Sequence, residues 1–261
     1  MTGGCPGPGC RWAAGTPTPS GEVGEGTVGQ AVAIARAAHP TLRIAHEVVV
    51  GQPAPALLDR CAPDTLTVVG HRGRGGFASL LLGSVSQQVA SHASGPVVVV
   101  RGRAASATGT AATAGAGAVA VGVDGSGASE LTLAVAFEEA ARRRANLVVA
   151  HACVEASPPW GRDLAAYADW DGEERLAAAW KMLTAQIAPW AEKFPDVVVE
   201  PAVVGGHPVR VLTDLSRTAQ LLVVGTRGQG GFTGLLLGAV SLQLLHHADC
   251  PVLIVRAPVT G

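Results

Sequence analysis

Short segments rich in aliphatic residues recur along the chain: Leu66–Val69, Val97–Val100, Ala118–Val123, Leu147–Ala150, Val197–Val203, Leu221–Val224 and Val252–Val255. Each reads as a strand, and the continuous aliphatic character of Ala118–Val123 suits a parallel strand covered on both faces. The mixed apolar and polar stretches between them predict helices over Thr27–Ala38, Ala54–Arg60, a segment ending near His92, Ser129–Arg144, residues 170–193, Val209–Arg217 and a segment before Pro251. Ser129 is a candidate N-cap, with Arg142, Arg143 and Arg144 at the negative end of that helix's dipole. Ile44–Val50 reads as a further extended stretch. Strand and helix alternate, which predicts an α/β fold, an open doubly wound parallel sheet of Rossmann-like kind with right-handed crossovers.

The pattern is written twice. VGHRGRGGFASLLLGSVSQQVASHASGPVVVVR (Val69–Arg101) returns as VGTRGQGGFTGLLLGAVSLQLLHHADCPVLIVR (Val224–Arg256), 155 positions later and without a gap. The same offset pairs Pro40 with Pro195, Gly51 with Gly206, Pro53 with Pro208 and Asp59 with Asp214. Such self-similarity marks duplication of one structural unit. The expected organisation is a disordered Gly/Pro-rich tail (1–26), a truncated copy (27–102), an Ala/Gly linker (103–117) and a complete copy (118–257). The residues that would match Ala118–Lys181 fall before or within the tail, so the first copy is expected to be incomplete, through truncation or a misassigned start.

A chain of 261 residues suits two such units. Its net charge of −1, with 15% charged residues, opposes a nucleic-acid or anionic-membrane footprint and favours a small ligand. No long apolar span or secretory start is read, so the expectation is a cytoplasmic protein. Cys5, Cys10, Cys61, Cys153 and Cys250 are odd in number and scattered, which suits reduced thiols. Trp160, Trp170, Trp180 and Trp190 recur every ten residues, a spacing that keeps them off a common helix face, and read as packing residues.

The chemistry lies in the glycine spacing: Gly70, Gly73, Gly83 and Ser84 in the first copy, Gly225, Gly228, Gly238 and Ala239 in the second. Glycines after a strand let the backbone turn sharply and bring its amides against an anion. Gly238–Ser241 then stand where a helix should start, offering unpaired N–H groups and the positive end of a dipole. A loop that needs these glycines only for its turn is the alternative. Arg72 and Arg227 lie inside the loops, facing a phosphate or solvent; His92 and His247 read as polar helix ends.

With this spacing, an apolar strand before it and LLLG after it, the chain resembles the universal stress protein family over about residues 27–257. The resemblance implies the adenine nucleotide α-hydrolase-like form of the fold and the motif G-x2-G-x9-G-[ST] of ATP-binding members. By position it implies that Asp124 contacts the nucleoside, Ala152 lines the adenine pocket, Gly225 lies near the ribose, and Gly228, Gly238 and Ser241 contact phosphate. For Asp124 a turn-forming role is the alternative. Ala239 departs from the family's Ser or Thr and removes one hydroxyl, which Ser241 could partly replace. The first copy has the full loop, Gly70, Gly73, Gly83 and Ser84, and is expected to have no competent ATP pocket of its own.

The function expected is that of a non-enzymatic, ATP-binding stress-response module, with or without Mg²⁺. It acts through nucleotide-dependent assembly or partner binding. Its partners are an adenine nucleotide and either a second copy in a homodimer or the other domain of the same chain, paired through the last strands, Pro251–Arg256 in the second copy; neither nucleic acid nor membrane is expected. A module of the same fold that binds no nucleotide and an adenine-nucleotide hydrolase are the alternatives, although no nucleophile, base and orienter are arranged for catalysis.

Overall fold

The computed structural model describes residues 19–71, 82–101, 117–153, 172–226, 228 and 236–256. Seven strands, β1 (Thr67–Gly70), β2 (Val97–Val100), β3 (Val119–Gly122), β4 (Leu147–Cys153), β5 (Val199–Gly205), β6 (Leu221–Gly225) and β7 (Val252–Val255), form one sheet in the order β1-β2-β7-β6-β3-β4-β5. The helices are α1 (Pro19–Ala38), α2 (Pro53–Leu58), α3 (Ser84–His92), α4 (Ala128–Arg143), α5 (Gly172–Lys193), α6 (Pro208–Ser216) and α7 (Ala239–His247). Two compact units are distinguishable, Met1–Gln52 and Pro53–Gly261. The whole sheet belongs to the second, so the strands of the two sequence copies share one sheet.

In the first unit α1 covers Pro19–Ala38, so residues 19–26 are helical where the composition suggested a disordered tail. Gly21, Gly24, Gly26 and Gly29 hide this helix from a propensity reading, each being about 1 kcal/mol worse than alanine. The expected extended stretch 44–50 forms no strand ladder among the described residues, and Val50 is 89% exposed. Its repeat counterpart is a strand because β5 has β4 beside it in a seven-residue parallel register, Leu147↔Val199 to Cys153↔Gly205.

In the second unit every neighbouring pair of strands is parallel except one. β2 and β7, the last strands of the two copies, run antiparallel with Val97 opposite Ile254, Val98 opposite Leu253 and Val99 opposite Val252. The all-parallel sheet read from the sequence is thus corrected at this junction, where an intramolecular pair joins the copies.

One core contains Val89, Val97, Leu222, Leu244, Leu245 and Ile254; the other contains Val121, Leu133, Phe137, Leu183, Val223 and Leu253. Each such side chain contributes about 1.5–3 kcal/mol on burial. Phe137 stacks on Trp190 and Phe194 at centroid distances of 6.3 and 5.7 Å, which makes Trp190 a packing residue. Trp180 lies on the surface, while Trp160 and Trp170 fall outside the described residues. The N-cap of α4 is Gly127, not Ser129. Ser129 is buried inside the first turn, where its hydroxyl is drawn to the carboxylate of Asp124.

Candidate functional site

Strand order reverses at β3, which has β4 on one side and β6 on the other. In an open parallel sheet that reversal opens a crevice at the carboxyl ends of the strands. Asp124 follows β3 at this edge, Gly225 ends β6 and Ala152 lies near the end of β4. The sheet itself therefore brings together three residues that stand far apart in sequence.

Asp124 is held firmly. Its Oδ1 accepts from the Ser126 amide (3.0 Å), the Ser126 hydroxyl (2.7 Å) and the Ser129 hydroxyl (2.8 Å). The bond from the Ser126 amide is the turn-forming role foreseen as the alternative, and one oxygen performs it. The other oxygen faces the glycine loop, where a methyl group added to Gly228 would lie 2.7 Å from Oδ2. His151 Nδ1 donates to Val123 O (3.0 Å), tying the end of β4 to the segment that carries Asp124.

The cradle behind Gly228 is pinned at both ends. Gly238 donates its amide to Thr226 O (2.6 Å), and Leu242 N closes the first turn of α7 on Gly238 O (3.0 Å). Gly238 is an extended N-cap (φ −69°, ψ 156°) with no side-chain cap on the helix. The amides of the first turn precede the intrahelical ladder and, with the helix dipole, form an anion-accepting end. Ala239 is the first helical residue there and offers no hydroxyl. Ser241 is buried and donates its hydroxyl to Gly225 O (2.6 Å). That hydroxyl fastens α7 to the end of β6, while the main-chain amide of Ser241 lies in the first turn of α7.

The first copy repeats the construction. Gly83 donates to His71 O (2.7 Å), Ser86 to Gly70 O (2.5 Å), and Gly83 is an extended N-cap (φ −75°, ψ 144°). Ser84 opens α3 as Ala239 opens α7. Gly73, Arg72 and Arg227 lie outside the described residues. His92 bonds through Nδ1 to Gln88 O (2.9 Å) at the end of α3, the polar helix-end role read for it. Among the described residues no three His, Cys, Asp or Glu side chains are grouped to hold a metal ion, and no described helix is long and apolar enough to cross a membrane.

Two residues of this region were not singled out by sequence reasoning. Arg101 Nη2 donates to Leu245 O (2.6 Å), and Arg256 Nη2 donates to Ala90 O (3.0 Å) and Ser91 O (2.9 Å). Their signal was the repeat, in which both end the duplicated segment.

The Universal stress protein family model matches residues 13–101 and 117–256. A universal stress protein of Mycobacterium tuberculosis is 38% identical over 217 residues, covering 83% of this chain and 66% of its own length. A second from that organism is 38% identical over 217 residues, covering 82% of this chain and 70% of its own length. The chain thus spans about two thirds of these relatives. Among solved structures, a universal stress protein of Archaeoglobus fulgidus aligns with TM-score 0.58 at 20% identity over 92% of this chain and 78% of its own. A functionally unknown protein of Pseudomonas aeruginosa aligns with TM-score 0.61 at 15% identity over 90% and 78%.

Proposed function

Because the chain belongs to the universal stress protein family, we propose that its second copy is an adenine-nucleotide site, with ATP as ligand, and that the protein acts as a non-enzymatic, cytoplasmic regulator of a stress response. The observation that carries this reading is the approach of Asp124 to Gly228 at the strand-order reversal, beside the uncapped end of α7. Asp124 supplies an acceptor for the ribose or base. Gly228 and the amides from Ala239 to Ser241 face the phosphates, aimed by Gly238, whose own amide is held by Thr226 O. Gly225 and Ala152 border the space between them. A metal such as Mg²⁺ would arrive with the phosphates and neutralise them. The site belongs to the copy over residues 118–257; residues 27–102 are the stretch of the other copy that this sequence contains, and the position equivalent to Asp124 is not among them.

Ala239 and the engaged Ser241 hydroxyl favour a second reading, an interaction module of the same fold that holds no nucleotide. A missing hydrogen bond to a charged group costs about 1.5–3 kcal/mol, or one to two decades of affinity, so the nucleotide reading tolerates the loss. Titration calorimetry with ATP and Mg²⁺, together with a search for nucleotide released when the purified protein is denatured, decides between them. Heat of binding that is lost in Asp124→Ala supports the site; neither heat nor released nucleotide establishes the second reading. Turnover well above background hydrolysis would overturn the non-enzymatic assignment.

A further inference from the structure

Arg101 and Arg256 are exchanged between the copies. Each is the residue that directly follows the last strand of its copy, β2 or β7. Because these strands run antiparallel, each ends on the other copy's side of the junction. The acceptors correspond as well: Ala90, which receives Arg256, stands in the repeat where Leu245 does, which receives Arg101. All three acceptor carbonyls lie in the last turns of α3 and α7, where the intrahelical ladder has run out and the dipole is negative. A guanidinium there is a charge-assisted cap.

The opposite ends of these two helices are the cradles. α3 and α7 are nine residues each and rise from Gly83 and Gly238, so cap and cradle are about 13 Å apart along each helix. Arg256 reaches further, with Nη1 3.5 Å from Leu236 O, just ahead of Gly238. One guanidinium thus touches both the entrance of the second cradle and the helix end of the first copy.

We propose that Arg256 is a positioning residue that couples the second copy's anion cradle to α3, with Arg101 returning the contact on α7. Through this exchange, nucleotide bound in one copy orders the other. The coupling rests on the nucleotide reading given above. An anion that fixes the backbone from Leu236 to Gly238 also fixes one of the carbonyls beside Arg256. The remaining entropy cost of gripping Ala90 and Ser91 falls accordingly, and two ends of the molecule share one ordering event.

Hydrogen exchange on the full chain, with and without ATP, tests the proposal in the wild type, Arg101→Ala, Arg256→Ala and Arg256→Lys. Without ATP a crossed pattern is expected: Arg256→Ala raises exchange at the end of α3, and Arg101→Ala at the end of α7. With ATP the wild type gains protection in α3 as well as α7. Arg256→Ala loses the α3 gain and binds ATP roughly fivefold more weakly, at the lower end of ordinary coupling strengths, while Arg256→Lys restores part of both. Exchange changes confined to the copy that carries the substitution, or ATP protection of α3 that survives Arg256→Ala, would overturn the coupling. ATP protecting α7 and not α3 defeats the coupling alone; ATP protecting neither, with no heat of binding, defeats the nucleotide reading and the coupling with it.

Discussion

Gly228 shows how a residue legible in sequence acquires a sharper reason in structure. The glycine spacing implied close approach to an anion; the coordinates add that the nearest group is a carboxylate held by three donors on its other oxygen. That carboxylate cannot step aside cheaply for a methyl group. Gly228→Ala is expected to weaken ATP binding about tenfold, or about 1.4 kcal/mol, by calorimetry, with the fold retained by circular dichroism. One divergence between the copies is plain in sequence, while its reason is not. Cys250 is buried in the core at the position where the first copy has Gly95, and a Cβ on Gly95 would meet Ala62 O at 2.0 Å. Gly95→Ala is therefore expected to lower the denaturation midpoint, since neither backbone segment can give way freely. Burial pushes the Cys250 thiol up to about 11 from 9.0. A thiol raised in the native state contributes stability that is complete below pH 9 and is lost as the pH climbs toward 11, because the unfolded chain ionises first. Unfolding curves for Cys250→Ala should decline less steeply across that window than those of the wild type.

Elements were legible where a neighbour was also present to satisfy them. Val97–Val100 and Leu221–Val224 are read as strands and lie in them, since aliphatic runs of this kind need cover on both faces and obtain it. Residues 44–50 end in three valines, yet no strand forms among them; a ladder requires a partner that local sequence does not reveal. The cap of α4 was misplaced because Ser129 serves Asp124 and not its own helix end. α7 offers a test of where Arg101 lies. Burial first, then His247 and Arg101, hold His246 below its ordinary 6.5. A depressed histidine resists protonation in the folded state, so stability present above pH 6.5 declines as the pH falls below it. In Arg101→Ala one repelling charge is gone, and NMR titration is expected to show the His246 value moving back toward 6.5. On the opposite layer, Phe137→Ala would empty the space between Trp190 and Phe194, with a loss of about 3–5 kcal/mol by chemical denaturation.

For the molecule as a whole, the duplication was plain from sequence, and so was the α/β class. The direction in which the copies meet was not. Strand patterning is indifferent to whether a neighbour runs up or down, and the pairing through the last strands left two partners open. The antiparallel register of β2 on β7 shows one chain supplying both sides. Leu253 is 2% exposed there, opposite Val98, and Leu253→Lys would place an unpaired ammonium in the core. That substitution is expected to abolish a single cooperative unfolding transition, which calorimetry would register. Two halves tethered by their own chain meet at a local concentration of roughly millimolar order, fixed by the tether. Dilution cannot part them as it parts separate molecules under mass action. Closure of the β2–β7 seam is therefore the same whether the cell makes a few copies of the protein or many.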